Sequence, residues 1–382
     1  MGQEKKILHV VNISFVLPYF IGDQFDYFKE RGYEMHVACS PSQHLNEFAS
    51  YKGLRLLEIN VLREIDVVED IKALILLIKY IKRHRINIVI GHTPKGGLLA
   101  MLAAWICNIE RRTYFRHGLL FETAVGFKRS ILLTIERITG HLANKVVCVS
   151  PSVLEISVQS NLSRKSSNLL LHKGSCNGVD AAKKFNPNLV DLLELRALKL
   201  KYGIRDGDFV VGYIGRLVND KGIPELIEAW RMVNKKITSS KLMLVGPFEE
   251  RDKIKEEYKR LIDKDPSIIH IDLVKNTAPY YALMDVFILP SYREGLGTVN
   301  LEASAMEVPV ITTRSTGCIN SIEPGITGIY VDITPLSIKE GIEYYFSNIE
   351  IRRIHGKQGR QFILENFQQE RIWEEVRKKV IE

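Results

Sequence analysis

Two glutamates, Glu294 and Glu302, stand with seven residues between them in Tyr292-Arg293-Glu294-Gly295-Leu296-Gly297-Thr298-Val299-Asn300-Leu301-Glu302. The apolar run Val286–Pro290 before them reads as a buried parallel strand and Thr298–Glu307 as the helix that follows. Glu294 then falls at the carboxyl end of a strand, where α/β sheets meet their ligands. Gly295 and Gly297 permit a tight turn. The first free N–H groups of the helix, around Gly297, Thr298 and Val299, point out of its positive end, a favourable place for a phosphate. Glu302 follows about one turn later, roughly 6 Å along the axis, and its carboxylate can accept hydrogen bonds from a vicinal diol such as a ribose. Glu294 is left at the mouth of the loop, toward whatever hangs from the far end of a diphosphate. The segment reads as a clamp for such a molecule; the alternative is an acidic strand-to-helix loop with a solvent-facing second glutamate.

A second segment supplies cations. Phe209–Gly215 (FVVGYIG) is a short β-rich run, followed by Arg216-Leu217-Val218-Asn219-Asp220-Lys221-Gly222 and an amphipathic helix from about Gly222 to Lys235. Arg216 offers a planar fork to phosphate oxygens and Lys221 a compact point charge. Together they suit a diphosphate leaving group that gains negative charge as a bond to it breaks. Read alone, the pair is equally a basic loop end.

These pieces resemble the retaining family 4 glycosyltransferases of the GT-B type, over nearly the whole chain. The matching motifs are Gly215-Arg216-Leu217 with Lys221-Gly222, Leu244-Val245-Gly246, Asp285–Ser291, Glu294 with Glu302, and Gly317 with Glu323-Pro324-Gly325 and Thr327-Gly328, in the family's order and spacing. The resemblance implies an α/β protein of two Rossmann-like, doubly wound parallel-sheet domains facing across a cleft. It implies that Arg216 and Lys221 hold the diphosphate of a nucleotide-sugar donor, that Glu294 contacts the transferred sugar, and that Glu302 binds the ribose. His117, which follows strand Arg112–Arg116, matches a family histidine that contacts the transferring sugar; the other reading is a histidine satisfied at a strand end. His92-Thr93-Pro94-Lys95-Gly96-Gly97 has the look of bacterial surface-polysaccharide (capsule or O-antigen) transferases. His92 and Lys95 are acceptor-binding candidates there, with a solvated lysine as the alternative for Lys95.

The function implied is retaining transfer of a hexose or N-acetylhexosamine from a nucleotide diphosphate sugar, preferably uridine-linked, to a polyprenyl-diphosphate-linked oligosaccharide. In this scheme the leaving phosphate oxygen takes the acceptor proton on the same face of the sugar. The competing readings are a nucleotide-sugar epimerase of the same architecture and a non-catalytic nucleotide-sugar-binding protein. No cofactor or metal is expected. The sequence Asp206-Gly207-Asp208 precedes its strand, away from the ligand end, and reads as a turn. One departure from the family concerns the loop Asn12–Pro18, which lacks the glycine pair many relatives carry. Phe15, Leu17, Tyr19 and Phe20 there are candidates for an acceptor or lipid path, or for an ordinary loop-helix junction.

Strand and helix patterns alternate along the chain, as two helix-covered parallel sheets require. Expected strands are Ile7–Val11, Glu34–Cys39, Leu54–Ile59, Ile86–Gly91, Arg112–Arg116, Lys145–Val149 and Leu169–His172, then Phe209–Ile214, Lys241–Val245, Ile268–Leu273, Val286–Leu289, Val308–Thr312 and Gly328–Val331. Gly, Asn, Asp and Pro cluster between Gly174 and Pro187. This places an acceptor-binding domain at residues 1–185, with residues 366–382 packing back on it, and a donor-binding domain at residues 186–365.

At 382 residues the chain suits two cores. Of its 53 Lys and Arg and 45 Asp and Glu, residues 1–185 hold 25 and 16, a net +9, and the remainder 28 and 29, a net −1, so the positive balance belongs to the first domain. Lys79–Arg85 and Phe127–Arg137 would suit an anionic membrane surface as peripheral contacts, or are solvated helix faces. No nucleic-acid motif accompanies the charge. Five scattered cysteines suggest reduced thiols in a cytoplasmic protein. Gln3-Glu4-Lys5-Lys6 leads straight into a strand with no leader, and no stretch is long enough to span a bilayer.

Overall fold

Every strand runs parallel to its sheet neighbours in the computed structural model, which describes residues 5–61 and 66–382. Gln3 and Glu4, from the expected leaderless opening, lie outside the described residues. The chain divides into a first unit, Met1–Gly178 with Gln369–Glu382, and a second unit, Val179–Gln368.

In the first unit β1 (Lys6–Val10), β2 (Glu34–Cys39), β3 (Arg55–Glu58), β4 (Ile88–His92), β5 (Arg111–Arg116), β6 (Lys145–Cys148) and β7 (Asn168–Leu170) form one sheet in the order 3-2-1-4-5-6-7. The central strands β1 and β4 are largely buried on both faces because helices cover both, whereas the edge strand β3 keeps exposed charges at Arg55 and Glu58. One face packs Leu8, Val10, Val89 and Tyr114 against the helices Val67–His84 and Pro94–Ile106. The other packs Ile7, Ile90 and Phe115 with Phe25 and with Ile372, Trp373 and Val376 from the returning segment. Strand order reverses between β1 and β4, so a crevice opens beyond their carboxyl ends.

Helix Gly126–Leu142 is tied to β5 by a buried ion pair. Arg116, fully buried, donates from Nε to Glu136 Oε2 at 2.9 Å, and the Tyr114 hydroxyl donates to Glu136 Oε1 at 3.0 Å. That pairing keeps the guanidinium charged against the desolvation that opposes it.

The second unit contains β8 (Phe209–Ile214), β9 (Ser240–Val245), β10 (Ile268–Ile271), β11 (Val286–Leu289), β12 (Val310–Thr312) and β13 (Gly328–Tyr330), in the order 10-9-8-11-12-13. Its reversal lies between β8 and β11. The loops that follow those two strands are the ones carrying Arg216, Lys221 and Glu294.

The strands at Glu34–Cys39, Phe209–Ile214 and Val286–Leu289 match the sequence-based ones at both ends, and the other strand ends differ by at most two residues, as expected where pairing, not pattern, decides the end. The helix after β11 stops at Ala305, short of Glu307, because Glu307 takes a φ of 60° as the chain turns toward β12. The segment after β1 is ordered into a 3-10 turn, Ser14–Val16, and a short helix, Leu17–Phe20. Leu17 is fully buried there, so it cannot line a path for a ligand, whereas Phe15 and Tyr19 remain exposed. Asp206-Gly207-Asp208 forms the turn before β8, with Arg205 N–H donating to Asp208 and Lys199 to Asp206. Among the described residues no helix is long and apolar enough to cross a membrane.

Candidate functional site

The loop from Gly215 to Gly222 leaves β8 and doubles back into helix Ile223–Asn234. Gly222 makes this possible: its φ is 70°, and a Cβ there would sit 2.1 Å from the Pro290 carbonyl oxygen at the end of β11. The loop after β8 is thus pressed against the strand whose loop carries Glu294. The Lys221 ammonium meets the Glu294 carboxylate across this junction as an ion pair with little solvent access on either side. A second pair, Arg293 with Asp220 at 2.7 Å, joins the same two loops.

Glu294 is held from a third direction as well. Its N–H donates to the Thr316 carbonyl at 2.8 Å, and Gly317, at a φ of 78°, lies where a Cβ would come within 2.6 Å of the Glu294 carbonyl oxygen. The loop after β12 therefore supports the loop after β11. Arg216 pairs with Glu249 from the loop after β9, and its carbonyl accepts from the Tyr213 hydroxyl at 2.8 Å. Burial, and then the nearby Glu294, hold the Tyr213 phenol well above its usual range, with Arg216 opposing. Both charged groups consequently act on one buried hydroxyl.

Helix Thr298–Ala305 starts from Gly297 (φ 68°), which supplies no side-chain cap, so its first N–H groups have no partner within the helix. One turn in, the Glu302 carboxylate accepts from the Tyr281 hydroxyl at 2.9 Å. Burial pushes Glu302 up to about 7, against the opposing influences of Lys184 and the Tyr281 hydrogen bond. A carboxylate poised there accepts hydrogen bonds well but is costly to keep charged without a ligand.

In the first unit, three imidazoles form a row across β1, β4 and β5 at the carboxyl side of the sheet. His9 Nδ1 lies 3.0 Å from His92 Nε2, and His92 Nδ1 lies 2.9 Å from His117 Nε2. Phe20 stacks on His117 with ring centroids 3.7 Å apart and planes within 5°. Burial lowers His9 and His117 to about 3 and His92 well below its usual range, so all three rings are neutral near pH 7.

Two family models match the chain: "Glycosyltransferase Family 4" over residues 21–166 and "Glycosyl transferases group 1" over residues 196–362. The capsular polysaccharide biosynthesis glycosyltransferase CapM of Staphylococcus aureus is 32% identical over 376 residues, 98% of this chain and 96% of that one. The chain belongs to glycosyltransferase family 4.

This glycosyltransferase is also 23% identical to the UDP-Gal:alpha-D-GlcNAc-diphosphoundecaprenol alpha-1,3-galactosyltransferase of Escherichia coli, over 82% of this chain and 80% of the relative. Its fold matches a Rickettsia africae glycosyltransferase at a TM-score of 0.81 and 20% identity, covering 100% and 99% of the two chains. Anabaena HepE in complex with UDP and glucose matches at 0.80 and 16%, covering 99% of each. The two Rossmann-like parallel-sheet units are those of the GT-B fold.

Within the transferase, Arg216, Lys221, Glu294 and Gly297 lie on the loops that follow β8 and β11 at the second unit's strand-order reversal, and Thr298 and Val299 open the helix after β11. Glu302 lies further along, against Tyr281 and Lys184. In the first unit Lys95 is ion-paired with Asp70 at 2.7 Å. His92 is 2% exposed with both ring nitrogens engaged, which leaves it no nitrogen for a ligand. Sequence reasoning missed Glu249, Tyr281 and Lys184, whose partners are distant in the chain. It also missed His9, although a single polar residue in the apolar run Ile7-Leu8-His9-Val10-Val11 is a signal that could have found it.

Proposed function

We propose that this glycosyltransferase moves a hexose or N-acetylhexosamine, with retention and without a metal, from a uridine diphosphate sugar to a polyprenyl-diphosphate-linked saccharide in surface-polysaccharide synthesis. The observation that carries the reading is the Lys221–Glu294 pair: a cation for the departing diphosphate and a carboxylate for the sugar, joined at the strand-order reversal where α/β folds take ligands. Arg216 shares the diphosphate, the helix start at Gly297, Thr298 and Val299 receives its phosphates, and Glu302 accepts from the ribose diol. The uridine donor is supported by HepE, a fold neighbour solved with UDP and with UDP-glucose, and the acceptor class by the name of the E. coli relative. The capsular role is supported by CapM.

In the reaction, the bond from the anomeric carbon to the leaving phosphate oxygen lengthens as Arg216 and Lys221 take up its charge. The acceptor oxygen attacks on the same face and passes its proton to that phosphate oxygen, so no protein nucleophile is needed. His117 is assigned a hydrogen bond to the transferring sugar. The acceptor is given to the first unit. Helix Gly126–Leu142, with Phe127 81% exposed beside Lys128 and Arg129, is assigned to an anionic membrane surface.

The test is a panel of nucleotide sugars incubated with and without a polyprenyl-diphosphate saccharide, using wild type and Lys221→Ala. Acceptor-dependent UDP release that drops at least about 100-fold in the variant, with unchanged circular dichroism, is expected. An isomerised donor would make the protein an epimerase, and full turnover by the variant would refute the diphosphate assignment.

A further inference from the structure

Only one of the three imidazoles in the first unit reaches solvent. His9 and His92 are 1% and 2% exposed, whereas His117 is half-buried. His9 Nε2, at the inner end of the row, is buried with no hydrogen-bond partner among the described residues. Burial keeps the rings neutral, so each carries one proton and two arrangements fit the two hydrogen bonds. If the donors point inward, from His117 to His92 to His9, the row ends in a buried N–H with no acceptor. If they point outward, it ends in a bare ring nitrogen, and His117 carries its proton on Nδ1. Native structures rarely leave a buried N–H orphaned and tolerate an idle acceptor more readily, which selects the outward direction.

Thr93 supports a requirement for this geometry. Directly after His92 it holds a φ of 64° and a ψ of 156°, the only β-branched residue with positive φ among the described residues. Strain of this kind persists where surrounding structure fixes a neighbour's position. The Thr93 hydroxyl donates back to the His92 carbonyl, fastening the strained residue to the strand end.

We infer that His92, backed by His9, is a positioning residue that holds His117 as its neutral Nδ1–H tautomer, so that His117 presents a hydrogen-bond donor to a sugar hydroxyl. Unrestrained histidine prefers the opposite tautomer, so the row imposes a choice the isolated side chain would not make. The inference rests on the proposed contact between His117 and the transferred sugar.

The experiment uses the full chain labelled with 15N-histidine and read by long-range 1H–15N correlation, with His117→Gln assigning the signal. Wild type should show the Nδ1–H pattern for His117. His92→Gln, whose amide can both accept from His9 and donate to His117, should keep it. His92→Phe should lose it and lower kcat on the order of tenfold with little change in donor KM, the worth of one oriented hydrogen bond. An Nε2–H pattern in wild type, or an unchanged Nδ1–H pattern in His92→Phe, overturns the inference. His92→Gln guards against misfolding of the phenylalanine variant, since a folded His92→Gln that loses the pattern overturns it equally. Wild-type turnover by His117→Ala, whose side chain offers no donor, with the Nδ1–H pattern intact in the parent, would defeat the sugar contact and, with it, the role of the row. The tautomer itself is read separately.

Discussion

Replacing Glu302 by Gln should make the second unit more stable and the nucleotide weaker-binding, with both effects set by pH. In the folded chain Glu302 is pushed up to about 7 from its ordinary 4.5, chiefly by burial. Between those values the folded form binds more protons than the unfolded one, so stability falls as pH rises from 4.5 to 7, and the full penalty persists above 7. The shift of about 2.5 pKa units corresponds to about 3 kcal/mol at pH 8; because the side chain keeps some solvent access, about 2–3 kcal/mol is expected. Gln removes the charge while its carbonyl still accepts from Tyr281. For a unit of this size the gain is roughly 4–12 °C in Tm at pH 8, and under about 1 kcal/mol at pH 5, where wild-type Glu302 is mostly protonated. UDP binding at pH 8 should weaken by about 10- to 100-fold through loss of a charged acceptor. Wild-type affinity should decline below pH 7 while that of the variant stays flat. Differential scanning calorimetry and titration calorimetry at pH 5, 7 and 8 measure both. An equal stability gain at pH 5 and pH 8, or none at either, would refute the reasoning.

Removing Arg116 strands Glu136 in the core, so Arg116→Ala should lose about 3–5 kcal/mol in urea unfolding; a loss below about 1 kcal/mol would contradict the buried ion pair. Gly222→Ala should cost clearly more than Gly203→Ala. Both glycines have positive φ, but only Gly222 would drive a Cβ into a carbonyl oxygen, whereas Gly203 faces open space; equal costs by denaturant melts would remove the close-approach argument. Neutralising Lys128 and Arg129 with Gln should weaken sedimentation with phosphatidylserine vesicles by roughly fivefold per charge removed, at about 1 kcal/mol each. Unchanged binding would assign those residues to an ordinary solvated face.

Local pattern revealed what local physics controls. Apolar runs such as Phe209–Ile214 and Val286–Leu289 announced buried strands, and alternation with helices announced parallel sheets. The spacing in Glu294–Glu302 announced a strand-to-helix turn. The partners of these residues were hidden because they are set by topology. Glu249 reaches Arg216 across 33 residues, Lys221 reaches Glu294 across 73, and Tyr281 reaches Glu302 from a short helix before β11. His92 looked like a loop residue facing a ligand because nothing in its neighbourhood announces His9, 83 residues earlier. Leu17 looked available because a glycine-free loop gives no hint that it will fold inward as a short helix.

The first unit closes its core with side chains from both ends of the described chain. Ile372, Trp373, Val376, Val380 and Ile381 pack with Ile7, Phe25 and Phe28, and the Trp373 indole donates to Asn177 Oδ1 at 2.8 Å. During synthesis this reverses the usual vectorial order, in which an earlier domain finishes folding before a later one emerges. The second unit has all its residues once Gln368 leaves the ribosome, while the first, though translated earlier, still lacks a wall of its core until residues 369–382 follow. At elongation rates of about 5–20 residues per second, the roughly 190 residues of the second unit keep that apolar face uncovered for on the order of 10–40 seconds. The nascent chain is therefore most vulnerable to aggregation in the half that began first, and it is the half carrying the histidine row.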